Sequence, residues 1–263
     1  MYISEPPNRV RRHLIIPVGR FAIALYLCVL TAFAGLAQAQ PAVITNSASS
    51  RYEFRKEHSE DGIGKFYMGR EIAHVMGHQA ADWLERPERE REERPDLLLP
   101  ALKIKPGDAV ADIGAGSGYY TRRLAKLVGE KGMVYAVDIQ QEMLSLLTNQ
   151  LARSGIRNVK PILGTEMNPK LPDAAVDLIL MVDVYHEFDY PFEMIESMLP
   201  SLKAGGRIVF VEFRGEDPEV PIKPLHKMSQ QQVEKEMAVH HLVLKDAVET
   251  LPRQHVLSFE RSH

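Results

Sequence analysis

The chain has 263 residues, of which 45% are hydrophobic and 25% are charged, and its formal net charge is −3. This length and composition predict one sizeable globular domain or two small ones, and they exclude disordered, collagen-like and coiled-coil proteins. The overall charge also excludes a strongly basic nucleic-acid-binding protein.

The first 39 residues have the pattern of an export signal. Four arginines and a single acid, Glu5, precede an uncharged apolar stretch at 21–36, which is followed by Ala37-Gln38-Ala39. A basic segment, a short apolar segment and a small-x-small end predict a secretory signal that is cleaved after Ala39. The apolar stretch is shorter than the ~20 residues that span a bilayer, so an uncleaved membrane anchor is the less favoured alternative. We therefore expect an exported protein, periplasmic or extracellular, with no stable membrane span after cleavage.

Cleavage would change both the charge and the cysteine content of the chain. Residues 40–263 contain 28 basic and 34 acidic residues, a net charge of −6, and they lack Cys28, the only cysteine. A chain without a free thiol suits an oxidising compartment.

Residues 40–87 are predicted to form a linker followed by an N-terminal extension, ahead of the main domain at 88–263. The polar sequence of 40–60 is typical of a linker, and 69–83 has the length of a short helix. The extension is also a possible lid over a site in the main domain.

Alternating charges at 85–94 predict an exposed helix that leads into the main domain. Glu85 with Arg89, and Glu90 with Arg94, have the i,i+4 spacing of ion pairs on a solvated helix.

From residue 107 onward, apolar strands alternate with amphipathic helices. The predicted strands are 109–113, 134–137, 159–163, 178–182, 207–213, 242–248 and 255–259. Helices are predicted at 120–128 and at 192–202. A further helix is predicted to end near Gly155, and another to run from a capping box of Ser229 and Gln232 to His241. This order predicts an α/β fold: a Rossmann-like, doubly wound, mostly parallel sheet with helices on both faces and a late antiparallel strand.

A glycine-rich loop joins the first of these strands to the first helix. Its sequence from Asp112 is D-I-G-A-G-S-G, with Gly114, Ala115, Gly116 and Gly118 in the turn. Ligands of open α/β sheets bind at the carboxyl ends of the strands, and glycines let the backbone approach them closely. The helix that follows offers free N–H groups to an anion.

An acid, Asp138, ends the next strand, 20 residues beyond Gly118. A carboxylate at this place accepts hydrogen bonds from the hydroxyls of an adenosine ribose. The dinucleotide pattern G-x-G-x-x-G requires glycine at 119, where this chain has Tyr119, which disfavours a nicotinamide-dependent oxidoreductase. The spacing indicates a different adenosine ligand.

Over residues 88–263 the sequence resembles class I S-adenosylmethionine-dependent methyltransferases. The resemblance rests on the 112–118 loop, Asp138, the fourth-strand segment 177–183 and the fifth-strand segment 202–212. It implies that S-adenosyl-L-methionine is the cofactor. The cofactor-binding residues that it implies are Asp112, Gly114, Ala115, Gly116, Gly118, Asp138, Ile139, Thr165, Glu166 and Asp183, with the adenine contact open between Thr165 and Glu166.

Residues that follow the fourth strand are the candidates for chemistry. Methyl transfer from a sulfonium is an in-line displacement, in which a base is required only if the acceptor loses a proton. His186 or Glu187 is the predicted catalytic base, and Tyr185 is predicted to shape the acceptor pocket. The alternative is that His186 and Glu187 only orient the loop.

We predict no metal site, since His74 and His78 share an i,i+4 spacing without a companion ligand. The absence of cysteine from residues 40–263 excludes thiolate mechanisms, and the net charge disfavours a nucleic-acid partner. The expected acceptor is a small or lipid-like molecule. The main alternative is a non-catalytic protein that binds S-adenosylmethionine or a nucleoside.

Overall fold

The computed structural model describes residues 51–262. The predicted export signal and residues 40–50 of the predicted linker lie outside the described residues. Within the part that is described, no helix is long and apolar enough to cross a membrane.

The described chain contains ten strands and seven α-helices. The strands are β1 (Tyr52–Phe54), β2 (Gly62–Tyr67), β3 (Arg70–Ala73), β4 (Ala109–Ile113), β5 (Met133–Asp138), β6 (Val159–Leu163), β7 (Val176–Val182), β8 (Leu202–Phe213), β9 (Leu242–Val248) and β10 (Gln254–Arg261). The helices are α1 (Ala81–Leu84), α2 (Arg89–Glu93), α3 (Pro95–Ala101), α4 (Tyr119–Val128), α5 (Gln141–Ser154), α6 (Pro191–Met198) and α7 (Gln230–Ala238).

The main sheet has seven strands in the order β6-β5-β4-β7-β8-β10-β9. The pairs β4–β5, β4–β7, β5–β6 and β7–β8 are parallel, and β10 runs antiparallel to both of its neighbours. The central strands β4 and β7 are apolar and buried, as expected for parallel strands that are covered by helices on both faces. The predicted Rossmann-like α/β fold with a late antiparallel strand is confirmed.

A second, three-stranded sheet of β1, β2 and β3 was not predicted from the sequence. The short helix expected within 69–83 is present only at its end, as Ala81–Leu84, whereas Arg70–Ala73 forms a strand. Met68 and Gly69 both have positive φ, 48° and 98°, and they make the two-residue turn of a β2–β3 hairpin. The hairpin buries Tyr67 and Ile72, so packing outweighs the local helical pattern.

The charged segment at 85–94 is not the exposed helix that its spacing predicted. Arg89 and Glu93 are buried and paired to each other, with 2.7 Å between Nε and Oε2. Glu85 pairs instead with Arg122 of α4 at 2.8 Å, and Glu90 bonds to Arg123 of the same helix. The segment packs on α4, which supplies these partners in place of the predicted i,i+4 pairs.

Two predicted helix ends also differ from the structure. Helix α6 stops at Met198 and a 3-10 turn follows, because Pro200 has no N–H to continue the α-helical ladder. At α7, the Ser229 hydroxyl accepts the N–H of Gln232 at 3.1 Å, but the Gln232 side chain donates to Glu236. The predicted capping box is therefore formed only on its Ser229 side.

Candidate active site

A cavity of about 550 Å³ lies at the carboxyl edge of the main sheet. Its walls include the residues that end β4, β5, β7 and β8, and the strand order reverses between β4 and β7. This topological switch point is where open α/β sheets bind ligands, and the volume falls within the about 300–1,000 Å³ of small-molecule pockets.

The glycine loop lines this cavity through Gly114, Ala115 and Gly116. Gly114 has a φ of +72°, and a Cβ added there would lie 2.5 Å from Cγ2 of Val184. Gly118 does not line the cavity. It caps α4 with a φ of +88°, and a Cβ there would meet Leu147 of α5 at 3.0 Å. Gly118 therefore serves the loop conformation and the helix packing rather than the cavity wall.

Asp138 holds the glycine loop against the end of β5. Its Oδ2 accepts the N–H of Gly116 at 2.9 Å, and its Oδ1 accepts the N–H of Gln140 at 2.8 Å. Burial raises the pKa of Asp138, although these two N–H groups oppose the rise. Each carboxylate oxygen keeps a lone pair that can accept a ligand hydroxyl.

Two further predicted carboxyl groups, Asp112 and Asp183, also line the cavity. Burial raises the pKa of Asp112 to about 6, and its Oδ2 accepts the Thr121 hydroxyl at 2.5 Å. Asp183 follows β7 with a φ of +50°, and burial together with nearby Glu93 raises its pKa well above the usual value. The Asp183 Oδ1 is buried without a hydrogen-bond partner among the described residues.

The remaining predicted cofactor residues lie along one side of the cavity. Ile139, Thr165 and Glu166 all line it and are all exposed. Gln140, which the sequence analysis did not select, lies beside them and bonds to the main chain of the N-terminal extension. Its side chain accepts the N–H of His78 at 2.8 Å and donates to the carbonyl of Met76 at 2.9 Å.

In the same cavity, the structure brings His186 and Glu187 together with His226. The Nε2 of His186 lies 3.1 Å from Nδ1 of His226, and the Glu187 Oε1 lies 3.6 Å from that Nδ1. The Nδ1 of His186 bonds to Oε2 of the fully buried Glu212 at 2.7 Å. We call His186, Glu187 and His226 the histidine–glutamate cluster.

The electrostatics of this cluster follow from its burial. Burial lowers the pKa of His186, but the charge of Glu212 and its hydrogen bond outweigh this, and the pKa is raised overall. Burial raises the pKa of Glu187 to about 7. Burial and the charge of His186 lower the pKa of His226 to about 4. Three ionisable groups with shifted pKa values in one cavity indicate a functional site.

Tyr185 does not shape the acceptor pocket as predicted. It is fully buried behind the cavity wall, where its hydroxyl donates to Glu236 at 2.7 Å. The chain reverses direction in a short 3-10 turn at Tyr185–Glu187, which sends Tyr185 into the core and leaves the next two side chains at the cavity.

Several residues of the cavity and of its support were not among the candidates predicted from the sequence. His226 lies 40 positions beyond His186 in a separate turn, and no local pattern links the two histidines. Arg89 and Glu93 line the cavity although their spacing indicated an exposed helix. Glu212 alone had a usable signal, since it lies near the carboxyl end of β8, beside the strand that leads to His186.

Comparison with known proteins decides the family. The family described as "Methyltransferase domain" matches residues 104–255, which is more than half of the chain. The chain belongs to this methyltransferase family.

Curated relatives of this methyltransferase cover part of its length. The chain is 34% identical over 110 positions to the ubiquinone/menaquinone biosynthesis C-methyltransferase UbiE of Vibrio vulnificus. The matched region covers 41% of this chain and 42% of the relative. The UbiE protein of Ectopseudomonas mendocina is 32% identical over 111 positions, 42% of this chain and 43% of the relative. The chain thus matches less than half the length of these relatives.

Solved structures agree with the fold. A SAM-dependent methyltransferase from Aquifex aeolicus is 26% identical, covers 70% of this chain and 98% of its own, and superposes with a TM-score of 0.67. The YcgJ protein of Bacillus subtilis, 16% identical, covers 64% of this chain and 98% of its own with a TM-score of 0.52, and it shows the shared fold alone. The predicted family, class I S-adenosylmethionine-dependent methyltransferases, and its cofactor are confirmed.

The residues of the cavity fit this cofactor. Gly114 and Gly116 both have positive φ, 72° and 54°, and a Cβ at Gly114 would lie 2.5 Å from Cγ2 of Val184, so glycine suits the conformation of the loop at both positions. The unpartnered Oδ1 of Asp183 is a free acceptor for an ammonium group. The carboxyl groups of Asp112 and Asp138, which also line the cavity, add further acceptors. Such a set of acceptors suits a ligand with positive charge and ribose hydroxyls.

Proposed function

We propose that the protein transfers the methyl group of S-adenosylmethionine to a small, largely apolar acceptor that carries a hydroxyl or another polar group. The observation that carries the proposal is that one cavity is lined both by the cofactor residues and by the histidine–glutamate cluster. When bound, S-adenosylmethionine supplies an electrophilic methyl group on a sulfonium.

The walls of the cavity support an apolar acceptor. Apolar side chains from the N-terminal extension, from the end of β8 and from the segment after it line the cavity; they are Val75, Met76, Trp83, Leu84, Phe213, Pro221 and Ile222. Trp83 is 51% exposed, and the Arg86 guanidinium lies 3.6 Å from the centre of its ring. An apolar pocket with a few convergent polar groups is the usual form of a small-molecule site.

The polar end of the cavity gives the acceptor an orientation. His186 and Glu187 would contact the polar group of the acceptor there, as the catalytic residues predicted from the sequence. Glu212 fixes the His186 ring by its hydrogen bond to Nδ1, and the N–H of Met76 at 3.3 Å fixes Oε2 of Glu187. Side chains held in this way keep an acceptor in line with the methyl group at little entropic cost.

The UbiE relatives are named for C-methylation in ubiquinone and menaquinone biosynthesis. A hydroxylated aromatic ring has the apolar body and polar group that this cavity would accept. We therefore propose hydroquinones and phenols as the first acceptors to test. The proposal that the protein acts outside the cytosol rests on residues 1–39 of the sequence alone.

The first experiment is a calorimetric titration of the purified protein with S-adenosylmethionine and, separately, with NAD. We expect selective binding of S-adenosylmethionine, weakened about 10- to 150-fold in Asp138→Ala, because one charge-assisted hydrogen bond contributes about 1.5–3 kcal/mol. Asp173→Ala, an exposed aspartate outside the cavity lining, is the matched control and should bind as the wild type does. Circular dichroism establishes that each variant is folded.

Formation of S-adenosylhomocysteine is then measured with a panel of hydroquinones and phenols and with hydrophilic amines for comparison. We expect turnover with the apolar aromatic acceptors. Folded protein that does not bind S-adenosylmethionine would refute the proposal. Binding without turnover on the aromatic panel would also refute it and would favour the non-catalytic binding protein.

A further inference from the structure

The histidine–glutamate cluster has the ligand set of a transition-metal site. It offers two imidazole nitrogens and one carboxylate oxygen, each within 4.8 Å of the others. Imidazole nitrogen suits zinc, copper, iron and nickel, whereas magnesium and calcium are bound mainly by oxygen. Two histidines and one glutamate is also the ligand set of several catalytic zinc sites.

The distances within the cluster match metal coordination. The three ligand atoms are separated by 3.1 Å (His186 Nε2 to His226 Nδ1), 3.6 Å (His226 Nδ1 to Glu187 Oε1) and 3.9 Å (His186 Nε2 to Glu187 Oε1). A point equidistant from them lies about 2.1 Å from each atom, which agrees with zinc–nitrogen and zinc–oxygen bonds of about 2.0–2.2 Å.

Supporting contacts around the cluster are those of a metal site. A metal-binding histidine usually donates its other ring N–H to a carboxylate, which orients the ring and raises its basicity. His186 has this partner in Glu212, which is fully buried and accepts from Nδ1 at 2.7 Å, so that the lone pair of Nε2 faces the cluster. The other oxygen of Glu212 accepts the N–H of Tyr185 at 3.0 Å, which fixes the carboxylate itself.

The cluster is also open on one side. His186, Glu187 and His226 all line the cavity that holds the cofactor residues. A metal ion held by three protein ligands would keep a fourth position toward the cavity, as catalytic zinc sites do.

From this geometry we propose that His186, Glu187 and His226 bind one divalent transition-metal ion, zinc or an ion of similar preference, with an open position toward the acceptor end of the cavity. An acceptor oxygen in that position would be held by the ion, which would take the place of the direct contacts of His186 and Glu187 with the acceptor. This role of the ion rests on the proposed function, whereas binding of the ion does not.

The test begins with purified protein that has been treated with a chelator and dialysed. Equilibrium dialysis against Zn²⁺ or Mg²⁺, with the bound metal measured by mass spectrometry, gives stoichiometry and affinity. We expect one Zn²⁺ per chain and no comparable binding of Mg²⁺. Co²⁺ in the same site should show the intense visible absorption of a four-coordinate ion, which is a readout that does not depend on activity.

Variants assign the ion to the cluster. His226→Ala should weaken Zn²⁺ binding by at least about 100-fold, and Glu212→Gln by about 10- to 100-fold through the lost support of His186. His74→Ala is the matched control, an exposed histidine outside the cavity lining, and it should leave Zn²⁺ binding unchanged. Circular dichroism and S-adenosylmethionine binding without metal establish that each variant is folded.

Absence of Zn²⁺ binding to folded wild-type protein would overturn the proposal, as would equal loss in His74→Ala or no loss in His226→Ala. The two proposals fail separately in these experiments. S-adenosylmethionine binding and turnover by chelator-treated protein without Zn²⁺ binding would refute only the metal site. Stoichiometric Zn²⁺ binding that depends on His226, in a protein without turnover, would refute only the methyl-transfer function.

Discussion

Replacement of Glu236 by glutamine is expected to lower the free energy of unfolding by about 3–5 kcal/mol. Glu236 of α7 is fully buried and accepts from Arg70 of β3 at 2.7 Å and 3.2 Å. It also accepts the Tyr185 hydroxyl and the Gln232 amide, each at 2.7 Å. Glutamine has a similar shape but no charge, so the variant leaves the largely buried guanidinium of Arg70 without its counter-ion. Removal of one partner from a buried ion pair has this cost because the remaining charge stays desolvated.

The matched control for this variant is Glu234→Gln, which changes an exposed residue of the same helix. The control should alter the free energy of unfolding by no more than about 0.5 kcal/mol. Urea unfolding measures the free energy of unfolding of both variants. An m-value unchanged from the wild type shows that a shift in the unfolding midpoint reflects a change in stability. For a domain of this size, the Glu236→Gln variant should also melt about 6–20 °C lower. A loss below about 1 kcal/mol, or an equal loss in the control, would refute the assigned role of the Arg70–Glu236 pair.

Two further predictions concern the cofactor end of the cavity. Burial raises the pKa of Asp112 from 3.8 to about 6, so the folded protein binds a proton more tightly than the unfolded chain does. The free energy of unfolding should therefore fall by about 2 kcal/mol as pH rises from 4 to 7. Asp112→Asn should remove this component in urea unfolding at the two pH values, and an identical pH dependence in both proteins would contradict the assignment. Gly114→Ala should weaken S-adenosylmethionine binding at least about tenfold. An alanine in the left-handed conformation costs about 1–2 kcal/mol, and the free energy of unfolding should fall by more than this, because the added Cβ would lie 2.5 Å from Cγ2 of Val184. Gly155→Ala, also at positive φ but with no atom within 4 Å of its Cβ, should show the backbone cost alone, and equal effects of the two variants on stability would count against the Val184 contact.

The strands of the main sheet could be predicted because their environment is uniform. A strand between helices on both faces is apolar along most of its length, and β4 has the predicted boundaries of 109–113. The edge strand β6 also has its predicted boundaries of 159–163, although it is largely exposed. The glycine loop was recognisable because a turn with several positive φ angles requires glycine at fixed positions. Asp138 was recognisable because it ends the next strand, β5.

The N-terminal extension could not be predicted in the same way. Strands β1 to β3 are short, and they are stabilised by their pairing and by burial of Tyr67 and Ile72 rather than by local preference. Glu85 and Glu90 form ion pairs, as predicted, but with arginines of α4 rather than within their own segment, because α4 lies within reach of the folded segment. Sequence spacing alone carries no information about the position of a distant helix.

The sequence by itself determined the α/β fold and the position of the cofactor loop, because both depend on local patterns of apolar residues and glycines. Its motifs also resemble those of a known family, and that resemblance implied the family and the cofactor. The sequence also identified His186 and Glu187 as candidates, since they follow a strand at the carboxyl edge of the sheet. Only the tertiary structure placed Glu212 behind His186 and His226 beside it, and turned Tyr185 into the core. These contacts join residues 26 to 51 positions apart, so they are set by the packing of separate elements rather than by any repeat along the chain.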